Sequence, residues 1–163
     1  MTKKNYIYLL FLCIISVVQE FSFSRMTFFN VSADVVTIFL AFMAVTTSQK
    51  INISFGFAAG VLGGLLTGNM GLNMLARTVG SFIAGYFHTP KESHATINQK
   101  SKRFYAAVIV AGLCTNAILS AGNNPLGFSP AYRIVVFGLL ESLFNLIFAF
   151  IVNWLFLRQS LVN

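Results

Sequence analysis

The chain has 163 residues, of which 56% are hydrophobic and only 9% charged, and its mean hydropathy is +0.77. A soluble domain carries about 25% charged residues, so composition excludes an ordinary water-soluble fold, and the length suits one domain. The net charge of +7 is not a nucleic-acid footprint, because the basic residues lie in loops between apolar segments, where membrane proteins carry topological charge.

Residues 1–24 open with Lys3 and Lys4 and continue through an almost wholly apolar run, 6–18. A signal peptide has this form, but no A-x-A site follows, and a second apolar stretch comes directly after Gln19 and Glu20. An uncleaved first helix over 5–24 is expected. Cys13 here and Cys114 later each sit inside an apolar run, with neither metal spacing nor a disulfide framework, and read as buried small hydrophobes. The sequons at Asn30 and Asn52 are too short to carry weight.

Ser32 is the expected N-cap of a second helix, 33–47, with Asp34 in its first turn, where the positive end of the helix dipole favours an anion. This segment is short for a bilayer crossing and implies local thinning or snorkelling ends. A tight turn at Ser48, Gln49 and Lys50 leads into a third helix, 51–67. Gly56, Gly60, Gly64 and Gly68 recur at every fourth position there. A fourth helix, 71–87, carries Ala76, Gly80 and Ala84 at the same spacing. Each interior glycine would cost a soluble helix about 1 kcal/mol relative to alanine. In lipid, rows of small residues are how helices pack, so both rows are read as helix-packing or partner interfaces.

Pro90 ends the fourth helix, and 88–103 is expected to be a solvated cytoplasmic loop containing Lys91, Lys100, Lys102 and Arg103 against Glu92. Its basic cluster also suits anionic lipid headgroups. His88 and His94 lie in this loop without partners for a metal site. A fifth helix, 104–121, a turn-rich loop, 122–130, and a sixth helix, 132–157, complete an all-α bundle of six transmembrane helices. At 1.5 Å per residue the sixth is about 39 Å long, which implies tilt or extension past the membrane. With the amino terminus inside, Lys3, Lys4, Lys50, Lys91, Lys100, Lys102, Arg103 and Arg158 lie on the inner side, and only Arg25 and Arg133 on the outer. The positive-inside rule therefore places both termini in the cytoplasm.

Charges inside spans are the default functional candidates. Arg77 shares a helical face with Asn73, Gly80 and Ala84, and Glu141 shares one with Gly138, Ser142, Asn145 and Ala149; Glu20 lies near the outer end of the first helix. Asp34, Asn73, Arg77, Glu141 and Asn145 are expected to be buried polar groups. Arg77 and Glu141 are about 9 and 13 Å deep from the outer ends of their helices, which allows an Arg77–Glu141 pair to lock helices four and six. No G-x-S-x-G, H-E-x-x-H or G-x-x-x-x-G-K-[ST] pattern occurs, and no histidine lies in a span, so no catalytic residue, metal or cofactor is assigned.

The run Ala33-Asp34-Val35, the glycine row, Thr67-Gly68-Asn69-Met70-Gly71-Leu72-Asn73, and the small residues through Gly85 together resemble the rod shape-determining protein MreD family over residues 33–87. The family's proline before the aspartate is Ala33 here, and its acidic residue before the T/S-G-x-x-G turn is Gly64. The resemblance implies a non-enzymatic component of the bacterial cytoplasmic membrane. Its partner would be MreC and, through it, the MreB filament, RodA and the cognate transpeptidase. The fold of that family resembles the substrate-binding components of energy-coupling-factor vitamin transporters. A transporter subunit is therefore the alternative reading, with Asn73, Asn116, Glu141 and Asn145 lining a pocket.

Overall fold

The computed structural model describes residues 3–22, 32–90, 96–122, 127, 129–132, 135, 136 and 138–154. The Asn30 sequon, Arg25, Lys91, Glu92, His94, Arg133 and Arg158 lie outside the described residues, as do most of loop 122–130 and the predicted helix end beyond 154. The described residues are all-helical, with no strand. Helix α1 is Lys3–Phe21, α2 Val35–Thr46, α3 Gln49–Thr67, α4 Met70–Ala84, and α5 Ile97–Gly122. A single turn, α6 (Pro130–Tyr132), precedes α7 (Gly138–Val152). Of these, α3 and α5 are long and apolar enough to cross a membrane; α1, α2 and α7 are apolar but shorter.

The architecture is a ring around α2. Helices α3, α4, α5 and α7 pack in sequence, α1 packs on α3, and all five touch α2. The reason lies in composition, since α2 is apolar all round and buries Val36, Ile38, Leu40, Ala41, Met43, Ala44 and Val45. One side of α2 joins Phe104, Ala107, Val108 and Ala111 of α5 with Ala84 and Ala149. The other joins Leu12 of α1 with Phe55 and Ala59 of α3. The ring is incomplete between α1 and α7, where Val35, Phe39 and Phe42 of α2 are only partly covered and, with Phe11 and Val152, line an apolar groove of about 440 Å³.

The outer faces invert the soluble pattern. On α1 only a narrow stripe through Leu12, Ser16 and Gln19 is buried, while Leu10, Phe11, Ile14 and Val17 point outward. On α7 the outward stripe is Leu139, Leu143, Ile147 and Phe150. Cys13 is on the outward side of α1 and Cys114 is only partly covered, so the cysteines are not the buried hydrophobes expected from sequence.

Most boundaries shift from the sequence reading by a few residues, α4 ending at Ala84 before a 3-10 turn, Gly85–Phe87, and three differences matter for the fold. Helix α2 begins at Val35, which makes Asp34, not Ser32, the N-cap. Helix α5 begins seven residues before the predicted 104, inside what was expected to be loop. Thr96 and Gln99 form a reciprocal capping box: Gln99 N–H donates to Thr96 Oγ1 at 3.4 Å and Thr96 N–H donates to Gln99 Oε1 at 3.1 Å. The predicted 132–157 helix is regular only over Gly138–Val152 among the described residues, with wider π-type turns at 135–136 and 153–154.

Candidate functional site

The site is the amino end of α2, where side chains from α1, α4 and α7 converge. A helix start leaves backbone N–H groups without intrahelical partners, and burial makes their satisfaction obligatory. Asp34 Oδ1 accepts from the Thr37 N–H at 3.1 Å, and Oδ2 accepts from Thr37 Oγ1 at 2.7 Å. The Asp34 N–H donates to Asn145 Oδ1 of α7 at 2.7 Å. Gln19 of α1 accepts from the Val35 N–H at 2.8 Å and donates to the Ala33 carbonyl at 2.9 Å. Two other helices, α1 and α7, thus help to cap a third.

Arg77 of α4 completes the cluster. Its Nη1 lies 3.1 and 3.3 Å from the two Asp34 oxygens, with Asp34 only 4% exposed and Arg77 8%. The carboxylate therefore receives two hydrogen bonds from its own helix and a compensating charge from a neighbour. A buried ion pair is tolerated when its remaining lone pairs are satisfied in this way.

This arrangement corrects the predicted Arg77–Glu141 pair. Helix α4 packs between α3 and α5, whereas α7 packs on α5 and α2. Asp34, at the α2 start, is within direct reach of Arg77. Glu141, in the first turn of α7, is partly covered and forms no ion pair among the described residues.

Asn73 bonds locally, donating to Thr67 Oγ1 and to the Asn69 carbonyl, both at 3.0 Å, which ties the α3–α4 turn together. Asn145 is fully buried. Its Nδ2, together with Ser142 Oγ, Asn116 Nδ2 and Arg77 Nε, is buried without a hydrogen-bond partner among the described residues. Gly112 of α5 leaves room beside Asn145 and Ser142, since a Cβ there would lie 3.4 Å from both.

The small-residue rows face inward. A Cβ at Gly60 would lie 2.5 Å from the Met74 Cα and 2.8 Å from the Asn73 carbonyl, and one at Gly56 would lie 2.8 Å from the Arg77 carbonyl. Gly64 stands equally close to the Met70 backbone. These three let α3 lie directly against α4, and Asn52 Nδ2 closes the interface by donating to the Ser81 carbonyl at 2.7 Å. Gly68 is not part of this contact: it is the left-handed C-cap of α3, with φ of 79° and open space beside it. Ala76, Gly80 and Ala84 face α5, where Gly80 meets Thr115, the Thr115 hydroxyl donates to the Ala76 carbonyl at 3.5 Å, and Ala84 shares a core cluster with Ala107 and Ala111.

Sequence reasoning missed Gln19 and Thr37 as members of the cluster. The signal for Thr37 was its position three residues after a capping aspartate, where a cap accepts its N–H. Gln19 was marked only as the polar residue that ends an apolar run. Among the described residues, no three His, Cys, Asp or Glu side chains come together to hold a metal ion. A comparison with protein families, curated proteins and solved structures finds no match to this chain.

Proposed function

We propose that this chain is a multi-pass protein of the bacterial cytoplasmic membrane with both termini inside, and that it acts as a non-enzymatic scaffold of the rod-elongation complex. In this reading it supports cell shape and lateral peptidoglycan synthesis through MreC and, through it, MreB, RodA and its transpeptidase. The observation that carries the reading is what the residues of the MreD resemblance do. Asp34 is a cap and ion-pair partner, Gly56, Gly60 and Gly64 are close-packing positions, and Gly68 to Asn73 form a turn. All of these build the bundle, and none presents a reactive group to a substrate.

The membrane reading draws on outward apolar stripes on α1 and α7, on the spans α3 and α5, and on the loop charges. Helix α2 is about 18 Å long, too short to cross a 30 Å core alone. Its place at the centre of the ring removes the difficulty, because its polar end is satisfied by protein rather than by water. The glycine rows are occupied within the bundle, so partner contacts fall to the outward faces. The groove between α1 and α7, where α2 is uncovered, suits a membrane helix of a partner.

The transporter alternative needs convergent free polar groups around an enclosed pocket. Asn73 and the Asn145 Oδ1 are instead engaged with backbone and cap, and Asn116 Nδ2 and Asn145 Nδ2, though unpartnered among the described residues, do not line the apolar groove. Affinity recovery of the tagged protein from native membranes in mild detergent, with mass spectrometry of the partners, tests the choice. Recovery of MreC, RodA or the transpeptidase is expected. Recovery of paired ATPases with a coupling membrane subunit would overturn the scaffold.

A further inference from the structure

We propose that the pocket between the amino end of α5 and the carboxyl end of α7 binds the headgroup of an anionic phospholipid. The inference rests on the membrane reading above but not on the identity of the protein partners. At 26 residues α5 is about 39 Å long, roughly 9 Å more than a bilayer core. The apolar part of the helix starts at Phe104, so the excess is its first turns, Ile97 to Arg103, which then stand in the headgroup layer. The capping box at Thr96 and Gln99 keeps these turns helical outside the apolar region.

A pocket of about 410 Å³ opens at this level. Asn98, Ser101, Lys102 and Asn153 form its polar side, Tyr105, Phe150 and Trp154 its apolar side, and no lining residue is acidic. The walls are tied across the two helices: Asn153 Nδ2 donates to Tyr105 Oη at 2.6 Å and to Ser101 Oγ at 3.4 Å. The rings of Tyr105 and Phe150 stack with centroids 6.4 Å apart. A pocket held in place this way loses little side-chain freedom on binding.

The chemistry matches one class of ligand. Lys102 supplies a cation for a phosphate, Asn98 and Ser101 supply donors for phosphate and glycerol oxygens, and the aromatic side suits the start of the acyl chains. Trp154, 67% exposed, is placed where tryptophan marks the boundary between hydrocarbon and headgroup. A zwitterionic choline headgroup would bring its own cation towards Lys102, so the preference is for net negative charge.

Trp154 is the only tryptophan in the chain, and its fluorescence therefore reads this pocket alone. The full-length protein would be reconstituted in phosphatidylcholine vesicles containing a minor fraction of lipid brominated on its acyl chains, either phosphatidylglycerol or phosphatidylcholine. Brominated phosphatidylglycerol should be enriched at Trp154 by about fivefold, the effect of one lysine near an anionic lipid. Lys102→Gln should abolish the excess, whereas Lys50→Gln, with the same change in net charge at the start of another helix, should keep it. Equal quenching by the two lipids, a preference that survives Lys102→Gln, or the same loss in Lys50→Gln would each overturn the site. Quenching by neither lipid, with the protein left outside the vesicles, would overturn the membrane reading as well.

Discussion

At the scale of single residues, the Asp34–Arg77 pair is the most exacting feature of the molecule. Removing one member leaves the other charge buried, which typically costs about 3–5 kcal/mol. Arg77→Ala and Asp34→Asn should therefore each lower the unfolding midpoint in detergent markedly. The double variant should lose clearly less than the sum, because neither charge is then left unpaired. Additive losses would show that the two side chains are independent. Glu141→Gln, which keeps the shape of the side chain, should change stability by less than about 1 kcal/mol in the same assay, since Glu141 forms no ion pair among the described residues. A large loss would mean that Glu141 has a structural partner.

At the scale of elements, glycines of similar sequence context have opposite roles. Gly60 lies against backbone atoms of α4 that cannot move aside, so Gly60→Ala should destabilise by about 1–3 kcal/mol through overpacking. Gly71, in the first turn of α4, has open space where a Cβ would go. Gly71→Ala should therefore stabilise by up to about 1 kcal/mol through helix propensity. Thermal unfolding of the two variants checks the opposed signs, and equal effects would show that the α3–α4 contact is looser than its geometry. Thr96→Ala removes one half of the α5 capping box and should cost about 1 kcal/mol. Because those turns stand beyond the core, the loss should appear as faster amide exchange over Ile97 to Arg103 with little change in global unfolding.

For the whole molecule, the ring around α2 sets an internal order of stability. The central helix is covered on most sides and its amino end is held by α1, α4 and α7. Helix α1 is held by a narrow stripe and flanks the open groove. On the membrane reading, its outward face meets lipid, and the protein should stay with membranes after alkaline carbonate washing. An arginine placed in the outward stripe of α7, as in Leu143→Arg, should lower the inserted fraction, since arginine at a helix centre disfavours insertion by about 2.5–3.5 kcal/mol. Release by carbonate, or indifference to Leu143→Arg, would count against lipid on that face.

Much of this was legible in the sequence because it depends on local spacing. Apolar runs placed α1 to α4 to within a few residues but missed the starts of α5 and α7 by seven and six, and the four-residue spacing of Gly56, Gly60 and Gly64 marked a close-packing face. A helix period states which residues share a face, and for Arg77 and Asn73 or Ser142 and Asn145 it did so without knowledge of the fold. Gly68 shows the limit of spacing, because a fourth glycine in register turned out to serve a left-handed cap. The capping box at Thr96 was also written in the sequence, but the surrounding charges made those turns look like loop. What only the tertiary structure decided is which face meets which. Depth along a helix allowed Arg77 to reach Glu141, yet Asp34 holds it, because pairing follows the neighbours of α4 and no one-dimensional pattern orders helices around a centre. The convergence of Gln19, Asn145 and Arg77 on the start of α2 is of the same kind: residues 19, 77 and 145 meet only once the ring has closed around that helix.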